Sequence, residues 1–408
     1  MSWEVELVDA GYQKIADKFE LTSKVCAVAT IAAIVLSTTA TAILFHLTIL
    51  FVLLAGNWKE KFNLIVRNPL ALVFSLLFLL SLVGATYSTA PMHDVLMMLR
   101  KYGKYLLAVM FLPLFVEEKW RDYAIFSFFW AIAATLLISY LREYGYWYWW
   151  INNGAIEVFK NSIDFNFLMA FAAYLCLFKV AATRGSHRLG WVTFLIIIVH
   201  TILFRSQGRI GYFVFAGLMI LFFYQKFRWR GFIIAVTSAA LLFGLAFSFS
   251  SMFKERMSAA LNDIKTHQQN DNTSVGLRMT FAINGMKLIK NHPIFGTGTG
   301  SYVKEYVAIT SLPPDAPGIL SKPHNEYIHI TVQFGILGLI VLLIFFAVPL
   351  RYSQFLPERE KYIARGIVIG LMLASLVNAS LLDTTIRYCY IYFAVLAFAA
   401  LPRRHGRV

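Results

Sequence analysis

Two arginines lie close together between two strongly apolar stretches of the sequence. Arg205 and Arg209 fall in the segment FRSQGRIGYF, residues 204–213, where Gly208 and Gly211 leave room for a ligand. Guanidinium groups bind phosphate through paired hydrogen bonds, so this spacing favours a substrate with several negative charges. Both arginines share one helical face if the next helix begins early. The simpler alternative, strongest for Arg205, is an arginine at a helix end that reaches into the membrane interface.

A third arginine, Arg278, lies on a helix predicted over residues 275–291. Ala282 and Gly285 follow on the same face one and two turns later, so that face is otherwise small. Such a face can lie close against a helix bundle and direct the guanidinium inward. The alternative is a solvated charge on an exposed helix.

His324 and Asn325 stand at the entrance to a long apolar run, in SKPHNEYIHITVQFGILGL. An imidazole exchanges protons near neutral pH, so His324 is a candidate general base. His329 comes five residues later and is expected on another face. The alternative is that His324 has a structural role.

Charged residues near two further apolar runs complete the candidate site. Asp383 and Arg387 are four residues apart at the start of the last run, where they can pair with each other. The outer loops contain no Asp-x-Asp or Glu-x-Asp pair, so we expect neither a metal ion nor another cofactor. Arginines would then stabilise the leaving group. The predicted catalytic residues are His324, Arg209 and Arg278, and the predicted substrate-binding residues are Arg205, Arg209, Arg278, Asn325, Arg100, Lys101, Lys104, Asp383 and Arg387.

The elements that must position these residues are membrane-spanning helices. The chain has 408 residues, of which 59% are hydrophobic and 14% charged, and many apolar runs are long enough to cross a bilayer. The alternating segments of a transmembrane β-barrel are absent. The class is therefore an all-α polytopic membrane protein. Twelve spans are predicted, at about residues 24–38, 40–56, 69–88, 102–116, 121–141, 163–181, 190–204, 210–225, 231–250, 328–350, 362–380 and 386–401.

The distribution of basic residues predicts the orientation of these spans. The net charge of +15 comes from Lys and Arg scattered at span ends, which is typical of a membrane protein and does not indicate a nucleic-acid partner. Basic residues are concentrated in alternate connections and in the tail with Arg403, Arg404 and Arg407. Both termini are therefore expected in the cytoplasm. The first span is expected to be retained, because the acidic N-terminal segment is unlike a signal peptide.

The predicted organisation has one long loop on the outer face. Residues 1–250 hold spans 1–9, residues 251–327 form the loop domain, and residues 328–408 hold spans 10–12 and the tail. The loop is expected to contain an amphipathic helix over 251–268 before the helix with Arg278. Its segment GTGTGSY is expected to be a cluster of turns, because it lacks the strand and glycine spacing of a phosphate-binding fingerprint.

Taken together, these motifs resemble those of the bacterial O-antigen ligase and polymerase superfamily. The resemblance covers roughly residues 60–400, including the long outer loop before the tenth span. Two positions depart from the usual pattern. Gln207-Gly208 precedes Arg209 where many members have Ser, and Gln333 stands where many members have Glu, which weakens any role for a carboxylate there. The residues that carry the resemblance are Arg209 at the opening of the eighth span, Arg278, Pro293, Gly296, Gly298, His324, Asn325, Gly335, Gly338 and Leu339.

The resemblance implies a fold similar to the C-type glycosyltransferases (GT-C) and a site that faces the periplasm from the bacterial inner membrane. It implies that Arg209 and Arg278 bind the pyrophosphate of an undecaprenyl pyrophosphate-linked polysaccharide. His324 would assist attack by a sugar hydroxyl of the lipid A-core acceptor. The expected activity is that of an O-antigen ligase, which inverts the anomeric carbon because no carboxylate nucleophile is evident near the motifs.

Two other functions remain open from the sequence. An O-antigen polymerase or a protein O-oligosaccharyltransferase of the same superfamily would use the same donor with a different acceptor. A transporter or flippase of lipid-linked glycans would use the arginines only for binding. A transporter is expected to contain charged or broken helices near the middle of the membrane, and often an internal repeat, neither of which is clear in the sequence.

Overall fold

The computed structural model describes residues 2–143, 145, 157–265, 273–310 and 323–402. The basic residues predicted in the C-terminal tail, Arg403, Arg404 and Arg407, and the end of the predicted segment 251–268 lie outside these residues. The regular structure within them is helical, as the composition predicts. The α-helices are α1 (Ser2–Leu36), α2 (Thr38–Leu54), α3 (Trp58–Val66), α4 (Pro69–Thr86), α5 (Met92–Ala108), α6 (Glu118–Glu143), α7 (Ser162–Ala182), α8 (Gly185–His200), α9 (Arg209–Phe249), α10 (Ser251–Lys265), α11 (Ser274–Asn291), α12 (Tyr302–Thr310), α13 (Glu326–Tyr352), α14 (Glu358–Val377) and α15 (Thr384–Phe398).

Seven helical segments in the described parts of the chain are long and apolar enough to cross a membrane. Two shorter apolar helices, α2 and α15, accompany them. The predicted fourth span is divided between the amphipathic helix α5 and a 3-10 helix, Val109–Phe115. The predicted eighth and ninth spans both fall within α9. The candidate spans are Gln13–Leu36, Pro69–Thr86, Glu118–Glu143, Ser162–Ala182, Gly185–Arg205, Arg209–Phe249 and Glu326–Phe355.

Helix α9 is interrupted at Arg228, where the backbone is left-handed with φ of 53°. A continuous helix of 41 residues would be about 60 Å long, at 1.5 Å per residue. Yet the rings of Tyr212, near its start, and Phe253, just after its end, are 4.8 Å apart. The chain therefore turns back at Arg228. The two halves run in opposite directions, as the predicted separate spans require.

Helix α13 contains a second interruption, at Gly335, where φ is 62°. Tyr327 and Phe346 would be about 28 Å apart along a straight helix, but their ring centroids are 6.2 Å apart. Residues 326–334 therefore fold back against residues 336–352. This break is not evident in the sequence, where the apolar run continues without change.

The glycine-rich segment predicted as a cluster of turns holds this break together. The backbone N–H groups of Thr297 and Gly298 donate to the carbonyl oxygens of Val332 and Gln333, at 3.1 and 2.8 Å. The N–H of Gly300 donates to Oε1 of Gln333 at 2.6 Å. Backbone polar groups in a membrane need partners within the protein, and this segment supplies them where the helix does not. The turn prediction is confirmed, and its role is structural.

Many helix ends that carry candidate residues meet at one end of the bundle, which we call the loop end. The side chain of Asn325, before α13, donates to Leu376 O near the end of α14 at 3.0 Å. The N–H of Thr299 donates to Gly84 O near the end of α4. At the opposite end, Arg121 of α6 pairs with Glu360 of α14 at 2.9 Å. The loop end therefore includes the ends of α4 and α14 and the start of α13.

Helix α15 is the centre of the packed core, and its residues from Thr385 to Phe398 are all buried. Aromatic rings of other helices surround it. Phe345 of α13 lies 5.3 Å from Tyr390, and Phe45 of α2 lies 5.1 Å from Tyr388. This packing fixes the start of α15, where Arg387 lies, relative to the neighbouring helices.

We predict that Gly335→Ala destabilises the protein by roughly 2 to 4 kcal/mol, because a side chain there is strained at positive φ and overlaps the backbone of Ile294. Thermal unfolding of the detergent-purified protein measures the effect. Gly244→Ala is the matched control, since nothing lies within 4 Å of a Cβ at that helical position. Equal stability of the two variants would contradict the structural role of the break.

Candidate functional site

Arg209 is the first residue of α9, and Gly208 caps the helix. The prediction that Gly208 and Gly211 leave room for a ligand beside Arg209 is wrong. A Cβ at Gly208 or Gly211 would overlap the side chain of Asn166 in α7, so these glycines allow two helices to pack closely and do not leave space for a ligand. The guanidinium of Arg209 lies 3.7 Å from the carboxylate of Asp263 in α10. Its place at the start of α9 and its contact with Asp263 together hold Arg209 at the loop end.

Arg278 lies 69 residues after Arg209 in the sequence, and the two side chains are close enough for the charge of Arg209 to act on Arg278. Burial lowers the pKa of Arg278, and the nearby positive charge of Arg209 lowers it further. The predicted small face of α11 is also confirmed, because a Cβ at Gly285 would overlap Ile328 of α13. Two guanidinium groups whose charges repel each other are well suited to bind a doubly charged anion.

His324 lies next to the helix that carries Arg278. Its ring centroid is 6.4 Å from that of Phe281, which follows Arg278 by about one helical turn. The backbone of His324 is left-handed, with φ of 51°, a conformation uncommon outside glycine. Asn325 then caps α13 by accepting the N–H of Ile328 at 3.0 Å. The imidazole and the arginine pair therefore belong to one region of the loop end.

Glu326, which follows Asn325 directly, was not among the predicted site residues. Its side chain is fully buried, and Oε2 accepts the backbone N–H of Leu381 at 2.8 Å. Oε1 lies 3.7 Å from Nδ1 of His329, whose ring in turn contacts the side-chain amide of Gln333. The signal available in the sequence was a carboxylate at the start of an apolar run. Glu326 thus fastens the start of α13 to the segment between α14 and α15.

Arg205 does not join the other arginines in the way the sequence suggested. It ends a short π-helical segment, Thr201–Arg205, whereas Arg209 begins α9. The two residues therefore do not share a helical face. Arg205 forms an ion pair with Glu143 at the end of α6. This ion pair favours the simpler interpretation, in which Arg205 is a charged residue at a helix end.

A second group of cations forms around Tyr388. The guanidinium carbon of Arg387 lies 5.5 Å from the centre of the Tyr388 ring, and Nζ of Lys104 lies 5.0 Å from it. Lys104 is partly buried, and the positive charges of Arg387 and Lys101 act on it. Arg100, on the same helix, is exposed. We call Lys101, Lys104 and Arg387 the second cation cluster.

Asp383 and Arg387 were predicted to pair with each other, and each makes hydrogen bonds to other groups. Asp383 caps α15 by accepting the N–H groups of Thr385 and Ile386, at 3.1 and 3.3 Å. Arg387 is buried and donates to Leu382 O at 3.2 Å. The carboxyl groups of Asp383 and Asp164, the latter on α7, lie close enough for their charges to interact.

Lys160 lies beside these two carboxyl groups. Burial lowers its pKa to about 8, while the charges of Asp164 and Asp383 act in the opposite direction. Neither Lys160 nor Asp164 was among the predicted site residues. Their position before and within the first turn of α7 could not be related to Asp383 from sequence spacing.

The candidate residues therefore form two cationic groups at the loop end rather than one. Within the described parts of the chain, the charge of Arg209 acts on Arg278, whereas those of Arg387 and Lys101 act on Lys104. His324 adjoins the first group. This arrangement can bind a diphosphate next to a group that accepts a proton.

We predict that Glu326→Ala destabilises the protein by about 1 to 3 kcal/mol, because the buried N–H of Leu381 loses its acceptor. Glu326→Gln keeps an acceptor oxygen and should unfold close to the wild-type temperature. Thermal unfolding compares both with Glu358→Ala, a largely exposed carboxylate at the opposite end. If the Gln variant unfolds as early as the Ala variant, the carboxylate charge and not this hydrogen bond is what stabilises the fold.

Comparison with known proteins relates the segment that contains these residues to a described family. Residues 192–343, which include Arg209, Arg278 and His324, match the family model described as O-antigen ligase. The chain is also 31% identical over 176 residues to an uncharacterized protein of Haemophilus influenzae (strain ATCC 51907 / DSM 11121 / KW20 / Rd). That alignment covers 40% of this chain and 42% of the relative, so the match spans less than half of each. The resemblance to the O-antigen ligase superfamily predicted from the motifs is thus confirmed, with the family match lying over residues 192–343.

Proposed function

We propose that the protein is an O-antigen ligase of the bacterial inner membrane. It transfers a polysaccharide from undecaprenyl pyrophosphate to a sugar hydroxyl of lipid A-core in the periplasm. The observation that carries this proposal is the proximity of Arg209 to Arg278, with His324 beside the helix that carries Arg278, within the segment that matches the O-antigen ligase family. A pair of guanidinium groups suits a diphosphate leaving group, and an imidazole suits the activation of a hydroxyl.

The donor binds with its diphosphate against Arg209 and Arg278. Negative charge develops on the diphosphate as its bond to the anomeric carbon breaks, and the two guanidinium groups stabilise that charge. The two guanidinium groups take the part that a divalent cation takes elsewhere, and the donor is already activated by its diphosphate. The proposed reaction therefore needs neither a divalent cation nor a nucleotide. The partial burial of Arg278 lowers the local dielectric constant and strengthens this interaction.

The acceptor binds with its hydroxyl next to His324. The hydroxyl oxygen attacks the anomeric carbon as the carbon–oxygen bond to the diphosphate breaks, and the hydroxyl proton passes to the imidazole. The products are the new glycosidic bond and undecaprenyl pyrophosphate. A single displacement inverts the anomeric carbon. Binding both lipids side by side supplies the orientation that a transfer between two large substrates requires.

The proposed topology has twelve passages through the membrane and a GT-C-like arrangement, with the loop end in the periplasm and both termini in the cytoplasm. The fold-back of α9 at Arg228 supports two passages within that helix. The ion pair between Arg121 and Glu360 supports the placement of the starts of α6 and α14 on the same side. The concentration of basic residues in alternate connections supports the orientation.

The interruption of α13 bears on the alternative of a transporter, which is expected to contain broken helices. Here the freed carbonyl oxygens of Val332 and Gln333 are bonded to the glycine-rich segment. A break that is fastened in this way favours a fixed site over a moving helix. A polymerase or a protein O-oligosaccharyltransferase would use the same donor contacts, so only the acceptor distinguishes them from the ligase.

We predict that the purified protein, reconstituted with an undecaprenyl pyrophosphate-linked glycan and lipid A-core, forms glycosylated lipid A-core in the presence of EDTA and without nucleotide. Gel mobility of the glycolipid measures the product. A reaction in which glycan chains lengthen on the carrier identifies a polymerase. Movement of the donor across the vesicle membrane without any transfer identifies a transporter and refutes the proposal.

We predict that Arg209→Ala, Arg278→Ala and His324→Ala each lower kcat/KM for transfer by at least about 100-fold, since each removes a contact to the leaving group or the nucleophile. Lys290→Ala, an exposed position on the same helix as Arg278, is the matched control and should remain near wild type. Arg205→Ala should lose less than about threefold, because Arg205 pairs with Glu143. Near-wild-type activity of any of the first three removes that residue from the site.

A further inference from the structure

We propose that the second cation cluster forms a separate anion site, which binds a phosphate group on the sugar portion of the acceptor glycolipid. The inference rests on the proposed function and names the substrate group that the remaining cations recognise. It assigns to Lys104 and Arg387 a ligand different from the diphosphate bound by Arg209 and Arg278.

The first observation is the environment of Arg387. Its side chain is only 1% exposed, and one of its guanidinium N–H groups donates to Leu382 O. Among the described residues, Nε of Arg387 has no hydrogen-bond partner. A buried guanidinium is costly unless an anion and hydrogen-bond acceptors surround it. The protein therefore maintains at this position a cation that is ready to bind one.

The second observation is that another cation shares the same aromatic ring. Nζ of Lys104 and the guanidinium of Arg387 both lie against Tyr388, at 5.0 and 5.5 Å from its centre. Among the residues that the structure describes, the charges that act on Lys104 are those of Arg387 and Lys101, and both are positive. Cation–π contacts offset part of this repulsion but do not neutralise it. A phosphate with two negative charges would do so.

Glu326, a buried carboxylate whose charge reaches this region, has other partners. Glu326 accepts the N–H of Leu381 through Oε2 and lies 3.7 Å from His329 through Oε1. Its charge acts together with that of Arg387 on the hydroxyl groups of Tyr102 and Tyr105. Glu326 thus offsets part of the positive charge from a distance. Glu326 is not among the charges of the described residues that act on Lys104, which are those of Arg387 and Lys101.

The position of the second cation cluster indicates which substrate it serves. Arg278 shares a helix with Phe281, whose ring lies 6.4 Å from that of His324. Two residues after His324, Glu326 accepts the N–H of Leu381, and Leu382, which follows Leu381, accepts a hydrogen bond from Arg387. His324 therefore stands between the two cationic groups along this series. If the donor diphosphate occupies the first group, the acceptor hydroxyl at His324 extends toward the second. A phosphate on a neighbouring acceptor sugar is the anion that this geometry suits.

Direct binding tests this inference without requiring transfer. Full-length protein in nanodiscs of zwitterionic lipid is titrated with lipid A-core, with the same glycolipid after phosphatase treatment, and with the lipid-linked donor. We expect Lys104→Gln to weaken binding of the phosphorylated acceptor about tenfold, with no effect on the donor or on the phosphatase-treated acceptor. Lys104→Arg should bind as the wild type does, and Lys290→Gln is the matched control. A tenfold change corresponds to about 1.4 kcal/mol.

Each other outcome overturns the inference in a different way. Weaker donor binding in Lys104→Gln assigns the cluster to the donor. Equal binding of treated and untreated acceptor by the wild-type protein shows that no phosphate is recognised. An effect of Lys104→Gln that appears only in nanodiscs of anionic lipid identifies a membrane headgroup as the ligand. If wild-type protein binds neither form of the acceptor, the proposed function fails together with the second site.

Discussion

A break in a membrane helix leaves carbonyl oxygens that need hydrogen-bond donors from elsewhere in the protein, and the site depends on how this need is met. At Gly335 the chain of α13 turns back, and the glycine-rich segment supplies the missing donors through Thr297, Gly298 and Gly300. Positive φ angles at three glycines let that segment approach the backbone closely. These contacts help to fix the position of residues 326–334, and with it that of the histidine that precedes them.

The first part of α13, residues 326–334, connects the two cationic groups. At its start, Asn325 contacts the end of α14, and Glu326 contacts Leu381 before α15. Its outer side packs against α11, where Gly285 permits close approach to Ile328. Arg278 on α11 and Arg387 on α15 are therefore positioned from opposite sides of a single element. The reacting groups depend on helices that are far apart in sequence but meet at this helix.

The sequence was sufficient for the helical class, for most helix positions and for the presence of arginines and a histidine at one end of the bundle. Local signals carry that information, since apolar runs and charged boundaries are visible in short windows. The basic residues around Arg228 correctly predicted a boundary inside what proves to be one assigned helix. The break at Gly335 could not be predicted, because the apolar composition is unchanged on either side and the partner segment lies about 35 residues earlier.

Contacts between distant residues explain the remaining differences in the site. The glycines beside Arg209 were interpreted as space for a ligand, but their neighbour is Asn166, more than 40 residues away. Glu326 was overlooked because its partner, Leu381, is 55 residues distant and contributes only a backbone N–H. The division of the cations into two groups follows from the packing of α5 against α15, which no spacing in the sequence reveals.

The left-handed backbone at His324 affects how substitutions there should be interpreted. Asparagine and aspartate tolerate this conformation, whereas valine, isoleucine and threonine are strongly disfavoured in it. A library of all amino acids at this codon would therefore lose members through misfolding as well as through absent chemistry. Asparagine preserves the main-chain geometry while removing the imidazole, so it separates the two contributions more cleanly than alanine does.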